Sequence, residues 1–292
     1  MPSTRDIRRR IKSVKSTAQV TKAMQMVASS KMLKAQQGAL AGRPYARLMS
    51  SVLGAVTSNA LDFTHPLMEQ REGGRTAVIL VGTDRGLCAG LNTNLFREVA
   101  KLDRQQSTFI TAGRKASQFI ARMGRTLAAE FSYSDTPSYA EARAISKFAQ
   151  DLFLKGEVQR VEVYFTRFVN TLTQQPATFT LLPVEEVKGL APGVSGKETD
   201  VPAAQAGAGF LFEPDPKTVL GALLPHWVNF VIYQVLLEAK ASEHSARMVA
   251  MKNATDNANK LIDDLTLEYN KLRQMLITNE LLEIASATMA LS

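Results

Sequence analysis

The sequence predicts an α/β protein: a long antiparallel coiled coil of its N- and C-terminal helices, joined to a Rossmann-like α/β domain with a mostly parallel sheet. Three observations predict it. From His226 to Ala287 the chain runs 62 residues with helical periodicity and without Pro or Gly, a rod of roughly 90 Å at ~1.5 Å per residue. A compact domain of ~140 residues has a radius of gyration of only about 14 Å, so no body built from this chain covers such a helix. The N-terminus carries a second helical stripe, and the middle alternates strand and helix.

Taken in order, Ser3-Thr4-Arg5-Asp6 has the form of a capping box, a hydroxyl followed three residues on by an acid. Ile7, Ile11, Val14 and Ala18 follow at 4, 3 and 4 spacing, which puts them on one helix face. Val20, Met24 and Val27 form a second, offset stripe, so the apolar surface is expected to wander around the helix. Gly38, Gly42 and Pro44 invite a kink, with Pro44 as first residue of a resumed helix to about Asn59. Residues 60–74 read as a polar connector ending in Gly73-Gly74.

Thr76–Val81 (TAVILV) then reads as a buried strand, Leu87–Leu102 as amphipathic, Thr108–Thr111 as a strand and Arg114–Met123 as a helix. Leu127–Tyr133 is strand-like, Tyr139–Leu154 helical, and Val158–Phe165 alternates as a strand does. The order β-α-β-α-β-α-β belongs to a parallel sheet covered by helices. Ala177–Leu182 and Phe210–Phe212 are candidate further strands, and Val187–Gly209, rich in Gly, Ala and Pro, reads as a mobile loop. Asp215-Pro216 supplies a cap and first-turn proline for the last helix, and Pro225 is expected to bend it early. Beyond it Ser242, Ala246, Ala250, Ala254 and Ala258 form a seam of small side chains, read as the place where a second helix approaches closely; Leu261, Leu265, Leu272 and Leu276 resume a bulky stripe. The division is therefore 1–59, coiled-coil helix; 60–212, α/β domain; 213–292, coiled-coil helix. Because the first helix enters the body and the last leaves it, the two pack antiparallel if they pack at all. The longer last helix then overhangs the first.

The net charge of +8 is uneven. Residues 1–58 hold eleven Lys and Arg (Arg5, Arg8, Arg9, Arg10, Lys12, Lys15, Lys22, Lys31, Lys34, Arg43, Arg47) against Asp6 alone, so the remainder of the chain sums to −2. That segment asks for an acidic partner. With one aromatic, Tyr45, and no recognition motif, it does not read as a nucleic-acid surface. No apolar run approaches the ~20 residues that span a bilayer, no signal-peptide core follows the basic N-terminus, and the single Cys88 makes no internal disulfide.

Chemistry has few candidates. Val81–Gly90 (VGTDRGLCAG) lies between strand and helix, where phosphate loops sit, but it has neither the Lys-Ser/Thr of a P-loop nor G-x-G-x-x-G. It reads as a tight turn, and Cys88 as a small buried thiol. His65, His226 and His244 have no metal-ligand spacing, and no paired carboxylates mark a hydrolytic site; no catalytic or cofactor-binding residue is expected. The terminal stretch from Leu276 places Leu281, Leu282, Ile284, Met289 and Leu291 among few charges, an apolar tip that needs a partner to enclose it.

Three blocks carry a family resemblance: KSTAQVTKAMQMVASSKM (Lys15–Met32), GTDRGLCAGLNTNLF (Gly82–Phe96), and ASEHSARMVAMKNATDNA (Ala241–Ala258) continuing into YNKLRQMLITNELLEI (Tyr269–Ile284). With FEPDP (Phe212–Pro216) they span the chain in order, and the chain resembles the gamma subunits of bacterial F-type ATP synthases. The resemblance implies a non-catalytic rotor shaft without cofactors that couples ion-driven rotation to ATP synthesis or hydrolysis at beta-subunit sites. Its implied partners are the alpha3-beta3 hexamer, the epsilon subunit and the c-ring. Its implied place is peripheral, at the cytoplasmic face of the bacterial inner membrane. The implied ring contacts are Arg8, Arg9, Met24, Arg273, Gln274, Thr278 and Glu280, with Leu281, Leu282, Ile284, Met289 and Leu291 turning in an apolar sleeve. The chloroplast regulatory insertion with its cysteine pair is absent. Two other readings compete on sequence alone: a coiled-coil adaptor or chaperone holding clients at an apolar tip, and a nucleotide-binding enzyme built on the α/β body.

Overall fold

The fold was analysed in a computed structural model, which describes residues 3–59, 65–71, 73–184 and 215–291. Helix α1 runs Thr4–Asn59, α2 Leu91–Ala100, α3 Arg114–Arg122, α4 Tyr139–Leu154 and α5 Pro216–Leu291. Strands β1 to β5 span Thr76–Val81, Ser107–Ala112, Thr126–Phe131, Arg160–Phe168 and Gln174–Leu182, and a single 3-10 turn covers Pro66–Met68. The expected loop 187–209 and strand Phe210–Phe212 lie outside the described residues. No helix among those described is long and apolar enough to cross a membrane.

The sheet has the order β3-β2-β1-β4-β5. β1 pairs in parallel with β2 and β4, β2 with β3, and β5 closes one edge antiparallel to β4. The two right-handed crossovers from β1 to β2 to β3 place α2 and α3 on one face, and the return from β3 to β4 places α4 on the other. The side chains of β1 divide accordingly. Val78 and Leu80 pack with Leu95, Val99, Ala116 and Ile120; Ala77, Ile79 and Val81 pack with Ile145, Ala149 and Phe153 of α4 and with Val228, Val231 and Val235 of α5. A strand buried on both faces explains the unbroken apolar run TAVILV. At the end of β2, Gly113 takes φ +98, and a Cβ there would strike the Gly82 carbonyl; only glycine serves.

Two compact units divide the chain: Met1–Val27 with Met248–Ser292, and Ala28–Arg247. Helices α1 and α5 belong partly to each. Both helix starts are as expected. Ser3 caps α1, accepting from the Asp6 N–H at 3.2 Å, while Asp6 accepts from the Ser3 hydroxyl at 2.8 Å. The Asp215 carboxylate accepts from the Thr218 N–H at 3.2 Å.

The kinks expected at Gly38, Gly42, Pro44 and Pro225 are not helix breaks: α1 and α5 are each continuous through them. The glycines serve close approach instead. A Cβ on Gly38 would meet Leu237 of α5 at 3.4 Å, and one on Gly42 would overlap the Gln234 amide. These pairs, rising along α1 as they fall along α5, make the helices antiparallel within the Ala28–Arg247 unit. Tyr45 of α1 continues the series, its hydroxyl 2.6 Å from Nε2 of His226.

Candidate functional site

In a doubly wound sheet, ligands bind outside the carboxyl ends of the strands where the order reverses, here between β1 and β4. Helix α5 fills that place. Ser242 donates to the Thr166 carbonyl at the end of β4, at 2.9 Å, and the Glu238 carboxylate accepts from the Phe168 N–H at 3.1 Å. Ala239 and Tyr133 help line what remains between Gly82, Leu91 and Thr166, a crevice of about 10 Å³, room for roughly one water.

The Gly82–Gly90 loop is closed on itself. Leu87 and Ala89 sit at φ 62 and 49, left-handed values uncommon outside glycine. Thr83 donates to the Arg85 carbonyl and accepts from Asn92 at 2.7 Å, Asp84 accepts from the Arg114 N–H, and Tyr133 donates to the Gly82 carbonyl. Arg247 of α5 reaches the Gly86 carbonyl at 3.3 Å. The loop is the tight turn expected, and α5 lies against it through Arg247. Cys88 is buried against Leu91 and Ala246, and burial pushes its thiol up from the ordinary range. Among the described residues no group of His, Cys, Asp and Glu is arranged to hold a metal ion. His226 has both ring nitrogens engaged, by Tyr45 and, at 2.9 Å, by Tyr139.

The small residues at 242 and 246 therefore meet the body, not a second helix, which corrects the expected seam at its beginning. A cluster of charges lies alongside. Lys240, 1% exposed, holds Glu243 at 3.1 Å, lies 3.8 Å from Asp135 and sits over the Tyr133 ring at 4.4 Å. Glu243 also takes a 2.7 Å bond from Arg247. His244 Nε2 is 3.9 Å from Asp135, and burial holds its ring well below the usual range, at about 4. Asp135 accepts from Lys31 of α1; that bond, more than any other influence, holds its carboxyl below the usual carboxylate range. Sequence reasoning missed this cluster. Nothing local in EAKASEH marks it, because Asp135 and Lys31 lie about a hundred or more positions away.

In the other unit, Thr21 and Thr255 share a 2.7 Å hydrogen bond. Burial follows Ile7, Ile11, Val14, Ala18 and Thr21 on α1 and Met251, Thr255, Ala258, Ile262, Leu265, Tyr269 and Leu272 on α5. Spacings of 4 and 3 alternate on both helices, the coiled-coil seam. Among the described side chains burial on α5 ends at Leu272, seventeen residues past Thr255, and α1 starts at Thr4, seventeen before Thr21; an antiparallel pair has that symmetry. The offset stripe is not used: Val20 and Val27 are 55% exposed, Met24 is half-buried, and the buried face stays straight. Ala250 and Ala254 are half-buried flanks of the seam rather than its centre.

From 273 to 286 every side chain is exposed. Arg273, Gln274, Thr278 and Glu280 stand there, Thr278 with its hydroxyl turned back to the Gln274 carbonyl at 2.9 Å. Leu281, Leu282 and Ile284 are 61–65% exposed, while the side chains of Met289 and Leu291 lie outside those described. Arg8 and Arg9 are exposed, and among the described residues none of the α1 cations from Arg5 to Lys22 forms an ion pair.

A family model described as ATP synthase matches residues 3–291. The ATP synthase gamma chain of Opitutus terrae is 51% identical over 294 residues, covering 99% of each chain. Those of Akkermansia muciniphila and Methylacidiphilum infernorum are 46% and 42% identical over the full length of both chains. Among solved structures, a chain in the mitochondrial ATP synthase rotor of Euglena gracilis, rotational state 1, superposes at TM-score 0.66. It is 22% identical, over 94% of this chain and 98% of that one. A chain of the same organism's OSCP/F1/c-ring assembly in rotational state 3 reaches 0.69 at 20% identity, over 99% and 94%. These structural likenesses bear on the fold.

Proposed function

This chain belongs to the ATP synthase gamma family, and from that premise we propose that its paired helices turn inside a ring of three alpha and three beta subunits. As a gamma chain it is the central-stalk rotor subunit, non-catalytic itself, in a complex whose beta subunits handle the nucleotide. It is associated with the membrane as part of that complex. The finer assignments are ours: the α/β body carries the epsilon subunit and rests on the c-ring at the cytoplasmic face, and ion flow turns the whole. The related structures, a rotor and an OSCP/F1/c-ring assembly, support that set of partners.

The observation that carries the reading is the overhang. Fourteen consecutive residues, 273–286, project their side chains into solvent, with three large apolar groups more than 60% exposed. Such a surface requires an enclosing partner, and a ring of subunits encloses it without fixing its angle. Leu281, Leu282, Ile284, Met289 and Leu291 make the bearing. Arg273, Gln274, Thr278 and Glu280, with Met24, Arg8 and Arg9, meet the moving beta lever. Exposed charge pairs worth roughly 0.2–1 kcal/mol suit a shaft that must pass many angles without locking at one. The crevice closed by α5 argues against the enzyme reading, because the place where a nucleotide would bind is occupied by a helix.

The test is assembly. The chain co-purifies with a defined alpha3-beta3 hexamer. Reversing charge at Arg8, Arg9 and Arg10 leaves the lone subunit soluble but weakens assembly or coupling in the complex. Wild-type coupling in the triple variant would remove the acidic-collar argument; absence of any hexamer from the wild-type preparation would remove the rotor reading itself.

A further inference from the structure

We propose that Asp135 is the clamp that locks both long helices to the body, so that the two turn together when torque passes. The inference rests on the rotor reading above. Among the described residues Asp135 is the body side chain whose cationic partners lie on both α1 and α5: Lys31 on the first and Lys240 at 3.8 Å on the second, with the neutral His244 at 3.9 Å beside it. The other ionic bonds in the cluster, Lys240 to Glu243 and Glu243 to Arg247, are three- and four-residue pairs within α5. They stiffen the helix but cannot resist its displacement against the body.

Position along the chain adds to this. Lys31, Lys240 and His244 are among the last residues of the compact Ala28–Arg247 unit before α1 and α5 leave it. Torque crosses there. α5 has further fastenings nearby, from Ser242 to the Thr166 carbonyl and from Ser245 to the Thr171 carbonyl, at 2.9 and 2.8 Å. Lys31 is the ionic fastening of α1 at that level, and it ends on the carboxylate that also faces Lys240. Lys31, Lys240 and Arg247 are held by two carboxylates, Asp135 and Glu243, with His244 neutral. Removing the carboxylate therefore leaves an excess positive charge beside Lys240, whose side chain is 1% exposed, and an uncompensated buried charge is strongly destabilising locally.

The experiment compares wild type, Asp135→Asn and Asp135→Glu, each in the assembled complex in membrane vesicles. ATP-driven ion pumping is measured per ATP hydrolysed and normalised to assembled complex. With Asp135→Asn hydrolysis continues while pumping per ATP falls about threefold, within the range that residues away from ligand sites have on coupling. Asp135→Glu restores most of it. In the full-length chain alone, amide exchange over residues 28–34 and 238–247 rises about tenfold in Asp135→Asn, the change that ~1.4 kcal/mol of lost local stability produces. Wild-type pumping per ATP in Asp135→Asn overturns the proposal, as does a loss confined to the amount of complex formed. The rotor reading fails separately, if the wild-type chain forms no complex, and the exchange arm still reports on the clamp.

Discussion

Lys240 is a lysine whose amine is almost sealed from water, and its neighbour His244 is a histidine kept neutral by the same enclosure. A buried imidazole faced by Asp135 and Glu243 on one side of the charge balance and by Lys240 and Arg247 on the other has its proton affinity set mainly by burial. Its value is about 4 in the folded chain against an ordinary 6.5. The unfolded chain therefore takes up a proton below pH 6.5 that the folded ring refuses, and stability falls as pH drops from about 6.5 to about 4. Above pH 7 the group contributes nothing to the pH dependence. His244→Gln flattens this part of the acid limb in thermal melts of the full-length chain recorded from pH 7.5 to 4.5. Identical slopes in variant and wild type would show that the ring is not held neutral. None of this could be read from the sequence. Nothing local in ASEH marks the charge site until the fold brings Asp135 of the β3–α4 connection, and with it Lys31 of α1, to this turn.

The long helices show how one residue type carries two meanings. Gly38 and Gly42 read as flexible points, yet α1 runs through them, and their missing side chains admit Leu237 and Gln234 of α5. Ala in place of Gly in a helix interior is intrinsically worth up to ~1 kcal/mol, whereas overpacking a filled contact costs ~1–3 kcal/mol. Gln234 is 2% exposed and has little room to yield. Gly42→Ala is thus expected to lose about 1 kcal/mol net in chemical denaturation, and Gln234→Ala in the same background recovers most of it. A gain in the single variant would mean that the glutamine moves aside freely. Elsewhere the elements were legible where period and punctuation agreed: α4 at Tyr139–Leu154 and β1 at Thr76–Val81 stand where the pattern put them. Legibility failed for α2, whose start slips from Leu87 to Leu91 because two non-glycine residues adopt left-handed turns. It failed also for the offset stripe on α1, because Val20 and Val27 stay 55% exposed while the seam takes the neighbouring face.

At the scale of the whole molecule the asymmetry of charge and apolarity is what a partner would feel. The first 58 residues carry a surplus of ten positive charges, and toward its end the last helix exposes every described side chain from 273 to 286. Deleting about ten C-terminal residues is expected to spare the core, since the described side chains there, 283–286, are exposed. The expected result is weaker assembly and torque with an unchanged thermal melt of the α/β body, followed by circular dichroism of the truncated and full-length chains. A body that melts earlier after truncation would mean that the tip is packed on it.

By itself the sequence determined the helical ends, the parallel sheet, the overhang and the family, because each is written in local periodicity, capping residues or contiguous blocks. Tertiary structure alone decided which side of each helix is buried, and that α5 occupies the switch point of the sheet. It also decided that Asp135 meets Lys31 and Lys240. Those are pairings between residues seventy or more positions apart, and only packing selects among the many partners that charge and size would allow.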